Sequence, residues 1–166
     1  MGQKTQIVIN VKNLDNGKEQ TGSYYNQWGL AKMQLLDVVR ALTEYVNYPE
    51  EYKMPDKLYK ARRMDGEEYE TLFKGDANPQ NVIKWINETQ DNDNGGLLLK
   101  LTTQNGFINS GKLYLFNDPE AENIDEVNRA VTFEEYLNFN PEYINDDFTN
   151  MFLSMLKFFN VEILTA

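Results

Sequence analysis

Cysteine and histidine are both absent from the 166 residues. Without Cys there are no disulfides, no thiolate nucleophiles and no zinc ribbons. Without His there are no Ser-His-Asp or Cys-His arrangements, no imidazole general bases and no His metal ligands. Phosphate-cradling loops are missing too, since neither G-x-x-x-x-G-K-[ST] nor G-x-G-x-x-G occurs. The unbroken apolar stretches are short, far from the roughly 20 residues a bilayer span needs. Residues 1–6 lack a basic segment followed by an apolar run, so no secretory signal is expected. Gln6 stands where a myristoylation signal wants Ser or Thr. These absences point to a soluble, cytoplasmic chain with no cofactor and no catalytic signature.

Positive charge is scarce as well, and its scarcity is local. The chain has 16 Lys and Arg against 26 Asp and Glu, a net charge of −10. Residues 118–166 hold eleven carboxylates: Asp118, Glu120, Glu122, Asp125, Glu126, Glu134, Glu135, Glu142, Asp146, Asp147 and Glu162. Only Arg129 and Lys157 oppose them, so nine of the ten net negative charges fall in this last third. An acidic surface of this kind is repelled by nucleic acid and anionic lipid and attracted to basic protein surfaces.

What is present describes a folded domain. Apolar residues make up 41% of the chain and aromatics 13%, well clear of disordered composition. The length suits one domain over 1–166. Ile7, Ile9 and Val11 alternate with Val8 and Asn10 as in a strand, and Asp15, Asn16 and Gly17 turn the chain into a return strand over 20–25. Gly22 is expected to weaken that strand or mark a bulge. In residues 30–46, Leu35, Val39, Leu42 and Val46 form one helical stripe, with Val38 and Tyr45 beside it. Residues 57–63 read as a short helix inside the only basic cluster, Lys53, Lys57, Lys60, Arg62 and Arg63.

Asn78 before Pro79 is a helix entry, and Val82, Ile83, Trp85 and Ile86 fill the helix. Leu97, Leu99 and Leu101 alternate with Leu98 and Lys100 in a strand buried largely on both faces. Asn105 and Gly106 turn it into a partner strand over 112–116. Thr132 with Glu135 is a capping-box pattern. Asp146 or Asp147 is placed to cap the last helix. There Phe148, Met151, Phe152, Met155, Leu156 and Phe159 make the strongest periodicity in the chain. Phe158 and Leu153 lie off that stripe, so this helix is either central or packs on a second copy, giving a homodimer. Val161, Ile163 and Leu164 read as a last strand. The expected fold is α+β: an antiparallel sheet from two hairpins, with helices on one face.

Three candidate sites compete with plainer readings. Asp91, Asn92, Asp93 and Asn94 before Gly95 and Gly96 have the composition of a calcium loop. Their register fails, because Gly95 falls at a ligand position and Thr102 where the bidentate Glu belongs. Asp91 and Asp93 remain as metal or small-ligand candidates, against a solvated turn. The basic cluster, with Tyr52, Tyr59 and Tyr69, could take a phosphate or a single strand, against pairing with its own acidic neighbours. The acidic third, with Tyr136 and Tyr143, presents carboxylates at intervals like those of a phosphate backbone, against a merely solubilising surface.

The opening Met1-Gly2-Gln3-Lys4-Thr5-Gln6-Ile7 and the Tyr25-Asn26-Gln27-Trp28-Gly29 turn resemble a group of small phage and prophage proteins. The 91–96 run and the Thr132-Phe133-Glu134-Glu135-Tyr136 helix start are similar to that group as well, about a quarter of the chain in all. The group has no assigned catalytic residues to carry over. The resemblance implies a mobile-element protein acting in a bacterial cytoplasm, where small acidic proteins often inhibit defence nucleases of the CRISPR and restriction types. The expected function is therefore a non-enzymatic inhibitor occupying the basic nucleic-acid surface of a host protein, through Asp118, Glu120, Glu122, Asp125, Glu126, Glu134, Glu135, Tyr136, Glu142, Tyr143, Asp146 and Asp147. It would bind neither nucleic acid nor membrane directly. Alternatives are a small-ligand or metal-dependent binding protein or enzyme using Asp91 and Asp93, and a phage structural or assembly protein.

Overall fold

The computed structural model describes residues 5–26, 31–47, 73–89, 96–117, 127–139 and 145–165. The short helix expected over 57–63 and the turn over 91–95 lie outside them. Ten elements run in order: β1 (Thr5–Asn13), β2 (Glu19–Asn26), α1 (Ala31–Asn47), α2 (Pro79–Thr89), β3 (Gly96–Gln104), β4 (Phe107–Phe116), β5 (Ala130–Val131), α3 (Phe133–Phe139), α4 (Asp146–Phe158) and β6 (Val161–Ile163).

Both expected hairpins form. Asn105 and Gly106 each take positive φ, 53° and 81°, as the two-residue turn between β3 and β4 requires. Gly17 closes the β1–β2 turn at φ 73°. The tips of the two hairpins are tied together, because Asp15 Oδ2 accepts from the Asn105 amide at 2.7 Å. Gly22 sits in register opposite Ile9 with no bulge; the irregularity falls between Thr102 and Thr103 instead.

The fold is α+β, but the six strands make a mixed sheet rather than an antiparallel one. Their order is β2-β1-β3-β4-β5, with β6 also on β4. The hairpins are joined through β1 and β3, which run parallel, and β6 runs parallel to β4. A parallel pair needs a long crossover, and the chain between β1 and β3, which carries α1 and α2, supplies one.

Helices cover both faces, not one. Ile7, Ile9, Leu97, Leu99, Leu113 and Leu115 point to the face packed by α1, α3 and α4. Val8, Leu98, Tyr114 and Phe116 point to the other, where Val82, Trp85 and Ile86 of α2 join Phe73, Ala77 and Val127. The physical reason lies in β3: a strand apolar on both faces needs a layer on each side. Gly96 admits α2 at close range, since a Cβ there would lie 2.6 Å from Ile86 Cδ1 and 2.8 Å from the Gln6 carbonyl. The α1 stripe is centred on Leu35, Val38, Ala41 and Leu42, with Val39 only partly buried.

Candidate functional site

Glu134, Glu135, Tyr136, Asp146 and Asp147 are the expected contact residues that the structure describes, and they do not behave alike. Thr132 Oγ1 accepts from the Glu135 amide at 3.1 Å, and Glu135 Oε1 accepts from the Thr132 amide at 3.2 Å, completing the capping box. Arg129 Nη2 donates to the other oxygen, Oε2, at 2.8 Å. The arginine and the capped backbone hold this carboxyl below the usual glutamate value. Glu135 is thus engaged within the fold.

Tyr136 is a correction. It is fully buried, and its hydroxyl donates to Gln34 Oε1 of α1 at 2.8 Å. Its place in the turn after the capping box points the ring at the sheet, so it fastens α3 to α1 and presents nothing to a partner. The cap of α4 is a second correction. Asn145, extended at φ −103° and ψ 170°, accepts from the Phe148 amide at 2.9 Å, and neither Asp146 nor Asp147 is the cap. Both aspartates fall inside the first turn, where the helix dipole favours them.

Glu134, Asp146 and Asp147 remain exposed and outside the ion pairs found among the described residues. Phe133 at the start of α3 stacks on Phe152 at 5.5 Å, and Phe148 stacks on the same ring at 6.2 Å. One aromatic seam therefore joins the two acidic first turns. Asp118, Glu120, Glu122, Asp125, Glu126, Glu142 and Tyr143 lie outside the described residues, as do Asp91, Asp93 and the basic cluster. Val127, just after the first group, is clamped by Asn87 of α2, which bonds both its amide and its carbonyl. Among the described residues no group of three or more carboxylates is placed to hold a metal ion.

No protein-family model, curated protein or solved structure matches the chain. No helix among the described residues is long and apolar enough to cross a membrane.

Two surface features complete the site. On α4, Phe152 and Leu156 are buried while Met151, expected in the core stripe, is exposed. Met151 and Phe158 are two turns apart and share a flank of the helix, with Phe158 81% exposed. On the α2 side of the sheet, beside the part that α2 covers, lies a groove of about 400 Å³, lined by Lys12, Lys100 and Lys112 among others. Sequence reasoning missed this groove. Each lysine occupies a polar slot in an alternating strand, a visible signal, but only strand register puts the three on one surface.

Proposed function

We propose that this protein is a non-enzymatic, acidic binding protein that occupies the basic nucleic-acid-binding surface of another protein. Its resemblance to phage and prophage proteins supports a bacterial cytoplasmic setting and a host defence partner of the CRISPR or restriction type. The observation that carries this reading is the exposed trio Glu134, Asp146 and Asp147, mounted on two helix starts sharing the Phe133–Phe152–Phe148 stack. Rigid carboxylates compete for lysines and arginines without paying to be ordered, and the net charge of −10 steers the encounter.

The test is a pull-down from bacterial lysate with the whole chain immobilised. Nucleic-acid-binding proteins should be retained at low salt and released as salt rises, because screening shortens from about 8 Å at 0.15 M to about 3 Å at 1 M. Combined Glu134→Lys, Asp146→Lys and Asp147→Lys should abolish retention. Glu135 is left alone because its loss would break the cap. Retention that ignores salt, or survives the triple change, removes the proposal.

A second copy of the chain is a further partner under this reading, supported by the exposed Met151–Phe158 flank. Native protein should sediment as a dimer and Phe158→Ser as a monomer; a native monomer at high concentration dismisses the pairing.

A further inference from the structure

The groove on the α2 side of the sheet gathers lysines in an order set by register. One transverse row runs Thr21, Asn10, Lys100, Lys112, Glu162 across β2, β1, β3, β4 and β6. The next runs Glu19, Lys12, Thr102, Ser110. Lys100 and Lys112 face each other directly on antiparallel neighbours, an arrangement that weakens a sheet. Arg40, Lys84 and Arg129 each have a carboxylate partner, whereas none of the three groove lysines is in the ion pairs found among the described residues.

The remaining polar groups are organised around them. Asn10, only 2% exposed, donates to Glu19 Oε1 and to Thr21 Oγ1, both at 2.8 Å, and so fixes the Glu19 carboxylate at one end. Glu162 stands at the other end beside Lys112. Thr102 and Ser110 share a hydrogen bond of 2.7 Å, and Thr102 Oγ1 also donates to the Ser110 carbonyl at 3.4 Å, which leaves the pair's remaining lone pairs to accept from a ligand hydroxyl.

We propose that this groove binds a compact phosphorylated sugar. Lys100 and Lys112, joined by Lys12, take the phosphate as point charges. Glu19 and Glu162 accept from sugar hydroxyls, and Thr102 and Ser110 complete the hydroxyl contacts. The volume of about 400 Å³ lies in the range of small-molecule sites. Among the described residues no aromatic side chain lines the groove, so none of them offers a nucleobase a stacking surface. An extended nucleic acid is repelled by the net charge of −10. The site is independent of the acidic helix starts, so it stands or falls separately from the protein-docking reading.

The experiment is thermal unfolding of the whole chain at constant ionic strength with ribose 5-phosphate, glucose 6-phosphate, inorganic phosphate, sulfate or unphosphorylated ribose. A sugar phosphate should raise Tm saturably, inorganic phosphate less, and sulfate and free ribose not at all, because a ligand stabilises the state it binds. Lys100→Gln and Lys112→Gln should leave the ligand-free Tm unchanged or raise it, since each relieves a like-charge contact, and should erase the ligand-induced rise. Amide NMR shifts on adding the sugar phosphate should concentrate in β1, β3 and β4. No rise with either sugar phosphate overturns the proposal. So does an equal rise with sulfate, a full rise in both lysine variants, or a ligand-free Tm that falls on their substitution.

Discussion

The phenol of Tyr136 is held among apolar side chains, and burial pushes its pKa above the ordinary tyrosine value, so it stays a neutral donor to Gln34. Tyr136→Phe keeps the packing and removes the hydroxyl, and should cost about 1–2 kcal/mol in urea unfolding. Tyr136→Ala also empties the site and should cost about 3–5 kcal/mol. A stability-neutral Tyr136→Ala would place the ring outside the core. Glu135 carries the opposite sign of shift: its folded pKa lies below the unfolded one. Its contribution is therefore fully present above the unfolded glutamate value, about 4.3, and is lost as pH falls through the lower folded value. Glu135→Gln should destabilise at neutral pH, and the gap between variant and native Tm should close in acid. A gap that widens in acid contradicts the Arg129 pairing. The capping box was readable from Thr132 and Glu135 because both partners sit within one turn. The burial of Tyr136 was not, because its partner Gln34 lies on another helix.

At the scale of elements, the close contact of α2 with β3 depends on a missing side chain. Gly96→Ala would press a methyl into Ile86 and the Gln6 carbonyl. The backbone oxygen cannot swing aside, so a loss of about 1–3 kcal/mol is expected in denaturant unfolding, with α2 displaced. Gly96 thus has a packing role at the start of β3. Asn145→Ala removes the cap of α4 and should cost about 1 kcal/mol. Asp146→Ala should cost less, since it loses only a dipole interaction; the reverse order would restore the aspartate as cap. Strand and helix positions were legible because their signals are local: β3 from its leucines, the β3–β4 turn from Asn105-Gly106, and α4 from its Phe and Met spacing. The Leu97–Leu99 run of β3, apolar on both faces, also implied two covering layers, and that consequence corrects the one-faced arrangement. Met151 escapes the stripe because it sits at the margin of the inward arc defined by Phe148, Phe152, Met155 and Leu156.

For the molecule as a whole, a net charge of −10 makes the folded state repel itself. Raising sodium chloride from a few millimolar to about 0.15 M should raise Tm, because screening falls to about 8 Å. A Tm that drops would mean that attractive pairs such as Arg129–Glu135 outweigh the repulsion. The sequence alone determined the two hairpins, the helices of 31–47, 79–89, 133–139 and 146–158 and the last strand, though not β5, and that the last third is acidic, because backbone preference, side-chain period and charge are properties of near neighbours. Tertiary structure alone decided that β1 and β3 run parallel, that Tyr136 is core, that Arg129 engages Glu135, and that Lys12, Lys100 and Lys112 share one face. Those depend on the register between strands far apart in the chain, and no local pattern carries the energy of a pairing across 90 residues, such as Asp15 with Asn105.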